Sequence, residues 1–160
     1  MKRTLILLLL VAACGGSSGG KAASAKSTYL AAAEAICAGV NTKVADAKKQ
    51  QPTAIADIPP YVHKVLALGH STYDALSKLT PPPADAAEIK AKIISPLATQ
   101  LSTGDAFAAA VDAAAAKKDT AKLTSLVFNP PTKTTVDLAW MKTYGFSECL
   151  KAANTGATSK

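Results

Sequence analysis

Aromatic side chains are scarce: Tyr, Phe and Trp together make up 5% of a chain whose hydrophobic content is 49%. The core must therefore be built from Ala, Leu, Val and Ile. Strand-like alternation of useful length is missing, which argues against a sheet. No self-similarity at a period of about 20–50 residues is present, which argues against a solenoid. The signatures of chemistry are missing as well. There is no G-x-S-x-G elbow, no C-x-x-C or C-x-x-C-H, and no glycine-rich phosphate loop. Only two histidines are present, His63 and His70. Seven residues apart on one helix, they stand about 10.5 Å apart along its axis. That is too far for one metal ion, whose nitrogen ligands lie about 2 Å from it. A boundary or surface position is the plain reading of both, with His70 and Asp74 spaced for an ion pair on one helix face. No catalytic residue, metal or cofactor is expected.

The N-terminus supplies an address. Lys2 and Arg3 precede an unbroken apolar run from Leu5 through Val11. The run is too short to span a bilayer, which takes about 20 apolar residues, and has the length of a signal-peptide core. The small residues Ala12 and Ala13 follow, then Cys14. The string Leu10-Val11-Ala12-Ala13-Cys14 resembles the lipobox of bacterial lipoproteins. That resemblance implies cleavage after residue 13, acylation of Cys14 and a membrane-anchored, extracytoplasmic domain. Residues 14–27 begin with a Gly/Ser run and are expected to be a flexible tether. Gly15, not Asp, follows the cysteine, which implies the outer membrane if the organism has two.

Charge narrows the partners. The net charge is +7, and the chain stays positive without Lys2 and Arg3. Its lysines are scattered, with no basic face interleaved with aromatics, so nucleic acid is not an expected partner. The membrane, through the lipid, is one partner, and an envelope protein or polymer is another.

The cysteine count is informative. With Cys14 used by lipid, Cys37 and Cys149 remain, and outside the cytoplasm such a pair tends to oxidise. A bridge over about 100 residues contributes about 4.7 kcal/mol in the chain-entropy model. Two buried free thiols, or a metal pair short of further ligands, are the alternatives.

Four helices are predicted within a domain spanning 28–150. Helix one runs from about Thr28, capped by Ser27 or Thr28, to Gln50, with Tyr29, Ala33, Ile36, Cys37, Val40, Val44 and Ala47 on one face. Helix two starts at Asp57-Ile58-Pro59-Pro60 and turns Val62, Val65, Leu66, Gly69, Tyr73, Leu76 and Leu79 inward. Helix three, about 84–117, buries Ile89, Ile93, Leu97, Leu101, Ala108 and Val111; Pro96 should kink it, and Gly104 is a second weak point. Helix four begins with Asp119 as cap, is interrupted at Asn129-Pro130-Pro131, and ends at Gly145. Residues 151–160 should fray. Short connections make this an all-α, four-helix up-down bundle. In that order the end of helix four lies beside the start of helix one, which brings Cys149 to Cys37.

Among the 11 acidic residues, Glu34 is the one expected to be partly buried, with a lysine as its plain partner. Tyr29, Tyr61, Tyr73, Tyr144 and Trp140 either pack at the core boundary or line a cavity between helices. The lipobox, the alanine-rich helices, Ile36-Cys37, the Leu-Thr-Pro-Pro string from Leu79 to Pro82 and the closing Tyr-Gly-Phe-Ser-Glu-Cys from Tyr144 to Cys149 together resemble small alanine-rich helical lipoproteins of high-GC bacteria. The resemblance implies a disulfide-closed helical bundle and implies no activity. Three functions are carried forward: a non-enzymatic envelope binding module, a carrier of a small apolar ligand between the helices, and an enzyme. The carrier requires a pocket of about 300 Å³ or more. The enzyme requires converging titratable groups in a cleft.

Overall fold

Alanine and proline set the elements. The computed structural model describes residues 18–131 and 135–157. The signal expected at 1–13, the expected acylation site Cys14 and the first residues of the expected tether lie outside the described residues, as do the last three of the chain. Among the described residues every regular element is helical.

Helix α1 spans Ser18–Lys49. It begins well before Thr28, so the flexible-tether reading fails from Ser18 onward. The segment between carries Ala22, Ala23 and Ala25, strong helix formers, and extending an existing helix adds a hydrogen bond for each residue fixed. Ser27 and Thr28 therefore do not cap it. Both hydroxyls donate to the Ser24 carbonyl one turn back, at 2.9 Å. A short 3-10 turn, Ile55–Asp57, leads into α2, Ile58–Ser77, with Pro59 and Pro60 in its first turn, where a missing N–H costs nothing.

The third helical stretch is continuous but not uniform. Helix α3, Ala86–Ile89, passes through a π-helical stretch, Lys90–Ile94, into α4, Ser95–Ala116. Pro96 explains the irregularity. It has no N–H, so the carbonyl of Lys92 lacks its donor four residues on. That carbonyl instead accepts the backbone N–H of Asp137 at 3.1 Å. The disturbance expected at Pro96 is thus a π turn, and it docks the segment leading into the last helices. No break occurs at Gly104, which lies inside α4.

The predicted fourth helix is three short ones: α5, Thr120–Phe128, α6, Leu138–Tyr144, and α7, Glu148–Ala157. Asp119 caps α5 by accepting from the Lys122 N–H, and Asp137 caps α6 by accepting from the Trp140 N–H, each at 2.9 Å. Gly145 closes α6 in the left-handed region, φ 114°. Beyond it the chain re-enters helix as far as Ala157, where a frayed tail was expected.

Helix α1 packs against α2 and α7, α2 packs against α4, and α5 covers the end of α4 and the 3-10 turn. The α2–α4 pair is antiparallel and in strict register. Gly69 of α2 faces Leu101 of α4, and Gly104 of α4 faces Leu66 of α2. A Cβ on Gly69 would stand 2.9 Å from Leu101 Cδ2, and one on Gly104 would stand 2.8 Å from Leu66 Cδ1. Each glycine is the hole for the other helix's leucine. Replacing Gly104 by Leu overfills that contact, and overpacking costs about 1–3 kcal/mol. Urea unfolding should show this loss for Gly104→Leu and recover part of it in Gly104→Leu/Leu66→Ala. A gain in stability, as helix propensity alone would give, would contradict the packing.

Candidate functional site

The hydrophobic core is divided. One cluster gathers Tyr29, Cys37, Leu76, Ile89, Ile93, Met141, Phe146 and Cys149 among its members. The other gathers Ile58, Val111, Ala114 and Leu123. Leu76 and Ile58 lie near opposite ends of α2, and Ile93 and Val111 are similarly separated along the third helical stretch. Beside the first cluster, whose Tyr29, Cys37, Leu76, Ile93, Met141, Phe146 and Cys149 line it, lies an open-sided cavity of about 330 Å³. Its walls come from α1 (Val40, Val44), α2 (Leu66, Gly69, Tyr73), α4 (Leu97, Leu101, Gly104) and α7 (Ala152, Ala153). The wall residues on the predicted inward faces of α1, α2 and α4, such as Val40, Leu66 and Leu101, are only partly buried. They face inward, but no partner fills the space.

Among the described residues the lining contains no histidine, carboxylate or lysine. Its polar groups are few. Thr72 donates its hydroxyl to the Leu68 carbonyl of its own helix at 2.6 Å. Tyr29 also lines the space, and burial pushes its hydroxyl pKa up. Of the five aromatics expected either at the core boundary or on a cavity, Tyr29 and Tyr73 line this one, and Tyr61, Tyr144 and Trp140 do not.

Trp140 and Tyr144 instead stack on each other with centroids 4.6 Å apart. Tyr144 donates to Asp85 at 2.6 Å, and Trp140 Nε1 donates to Glu88 at 3.3 Å. Burial first, then the Asp85 carboxylate, pushes the Tyr144 pKa up. Lys26 lies 4.0 Å above the Tyr144 ring. This cluster ties α6 to α1 and to the start of the third helical stretch.

The wall formed by α7 is held by α1. Cys37 and Cys149 form a disulfide with Cα atoms 4.9 Å apart, across a sequence separation of 112. One turn before Cys37, Glu34 caps α7 from outside the helix. Its carboxylate accepts the N–H groups of Ser147 at 3.0 Å, Glu148 at 2.6 Å and Cys149 at 3.3 Å, and the Ser147 hydroxyl at 2.5 Å. These N–H groups otherwise lack partners at a helix start, and the helix dipole favours an anion there. Burial is the largest single influence on Glu34 and raises its pKa. The hydrogen bonds from the Ser147 hydroxyl and the three backbone N–H groups together outweigh it, so the net shift is downward. The partner of Glu34 is thus a helix terminus and not a lysine. One turn after Cys37, Asn41 donates to the Glu148 carbonyl at 3.0 Å. Sequence reasoning missed this residue, because an asparagine in mid-helix carries no periodic signal.

The histidines stand at the surface and bind across helices. His63 Nε2 lies 2.9 Å from Asp112, and His70 Nε2 lies 2.8 Å from Asp105. His70 therefore pairs with α4, not with Asp74 of its own helix. The spacing of seven that excludes a shared metal suits two rungs between antiparallel helices. Among the described residues no cluster of three metal-ligating side chains occurs, and no helix is long and apolar enough to cross a membrane. No family model matches the chain, and neither a curated protein nor a solved structure matches it.

Replacing Glu34 by Gln removes the anion from the α7 terminus and is expected to cost about 1 kcal/mol, the size of a lost N-cap. The pH dependence has a definite sign. Glu34 has a folded pKa below its ordinary value of 4.5, so its contribution is full above that value and fades as pH falls through the lowered one. Wild type and Glu34→Gln should therefore differ in thermal midpoint at pH 7 and converge below the carboxylate range. A constant difference down to acid pH would contradict the capping role.

Proposed function

We propose that this chain is a non-enzymatic, membrane-anchored lipoprotein whose extracytoplasmic domain holds a small apolar ligand between its helices. The observation that carries the reading is the 330 Å³ cavity with its apolar lining. A buried apolar cavity of about 150 Å³ holds benzene, so by proportion this one has room for about a dozen carbons. Burying a dozen methylenes at about 0.8 kcal/mol each yields about 10 kcal/mol. Association costs at least about 4 kcal/mol. The difference sets the tightest dissociation constant to be expected at about 10–100 µM. The described lining offers mainly hydrocarbon surface, which suits an apolar ligand.

The address rests on the lipobox, with Cys14 as the acylated residue and the lipid as the link to the membrane. The architecture is read as an up-down bundle of four legs, α1, α2, the stretch from α3 to α4, and the chain from α5 to α7. The two histidine–aspartate rungs between antiparallel α2 and α4 support that order. A second reading, docking of an envelope protein or polymer, is supported by Phe128, 79% exposed at the end of α5, and by Ile55, 43% exposed on the neighbouring 3-10 turn.

Titration with the neutral fluorophore N-phenyl-1-naphthylamine tests the cavity reading. The expected result is saturable one-to-one binding, displaced by dodecanol. Leu97→Trp, which adds bulk to the cavity wall, is expected to weaken binding at least about tenfold, the order of one large lost apolar contact. Absence of saturable binding would contradict the reading, and so would a folded Leu97→Trp variant that binds like wild type.

A further inference from the structure

A second cleft, of about 220 Å³, lies between α1 and α2. Val40, Leu68 and Thr72 line both it and the main cavity, so these three side chains form the partition. The cleft owes its room to small residues. Ala35, Gly39 and Ala75 line it, and a Cβ on Gly39 would meet nothing within 4 Å. It also holds Lys43, the one charged side chain on either lining among the described residues. None of the ion pairs among the described residues includes Lys43.

Resting on the apolar-ligand reading above, we propose that the ligand is a single-chain amphiphile with a carboxylate head. Its tail occupies the main cavity and its head sits in the α1–α2 cleft beside Lys43, the two joined past Val40, Leu68 and Thr72. Physical chemistry dictates this division. Among the described residues the lining of the main cavity offers an ionised carboxylate no cation, and a charge set against hydrocarbon without a partner is costly. In the cleft the head finds the exposed Lys43 and the hydroxyl-bearing Ser71. Lysine suits this task, since its stem lies along apolar surface while its charged end stays solvated. The tail crosses the partition by side-chain rotation alone, because the three partition residues belong to helices whose backbones stay hydrogen-bonded.

The test measures displacement of N-phenyl-1-naphthylamine from the full chain by dodecanoate and by dodecanol, in wild type, Lys43→Gln and Gly39→Leu. Lys43→Gln is expected to weaken dodecanoate about fivefold, the order of an exposed ion pair, and to leave dodecanol unchanged. Gly39→Leu fills the cleft from a helix position with open space beside it and removes a glycine unfavourable to helix, so the fold is retained. It is expected to weaken dodecanoate in the same way, with circular dichroism and thermal midpoint confirming the folded state. Dodecanol displacement combined with unaltered dodecanoate affinity in both variants overturns the carboxylate-head proposal and leaves the cavity reading standing. Equal weakening of both ligands by Lys43→Gln also overturns it. Failure of both ligands to displace the probe from wild type overturns the two together.

Discussion

The attachment of α7 to α1 is the constraint on which the rest of the structure depends. A helix of 10 residues is too short to be stable alone in water, and α7 lies at the end of a chain already broken twice since α5. Two features of α1 hold it. Cys37 ties Cys149 covalently, and Glu34 satisfies the N–H groups that open the helix. The two act on adjacent turns of α1 and on the same end of α7, so they fix both its position and its start. Because Ala152 and Ala153 of α7 close one side of the main cavity, that cavity exists only while this junction holds.

The opposite wall is built on different physics. Helices α2 and α4 are held by shape, each offering a glycine to the other's leucine, and by the two histidine–aspartate pairs outside. This close approach occurs at the level where the core is empty. The cavity is lined from the first core cluster and takes no residue from the second. Unfilled space forfeits dispersion contacts. A small domain bears that cost here with a disulfide across most of its length.

Much of the fold was legible in the sequence. Proline at 59 and 60, aspartate at 119 and glycine at 145 mark element ends by local chemistry, and the structure places ends there. The cysteine pair was legible from its count. Other features were not. The long N-terminal extension of α1 and the helical α7 carry composition that reads as linker or tail, and helix there depends on what precedes or covers it. Gly104 reads as a breaker because sequence shows its missing side chain but not Leu66 lying against it. The cavity was the least legible of all. Val40, Leu66, Leu97 and Leu101 have the spacing of core residues and do point inward. Periodicity reports direction and is silent on whether facing side chains meet. Glu34 was singled out for burial, but its partner, the start of a helix more than a hundred residues on, has no sequence signal.

The most direct test of the central claim is hydrogen exchange on the folded chain with and without the bridge, comparing wild type with Cys37→Ala/Cys149→Ala. The account predicts that amides 150–157 of α7 lose most of their protection in the variant while those within α2 and α4 keep theirs. Unchanged protection of α7 in the bridgeless protein would contradict it.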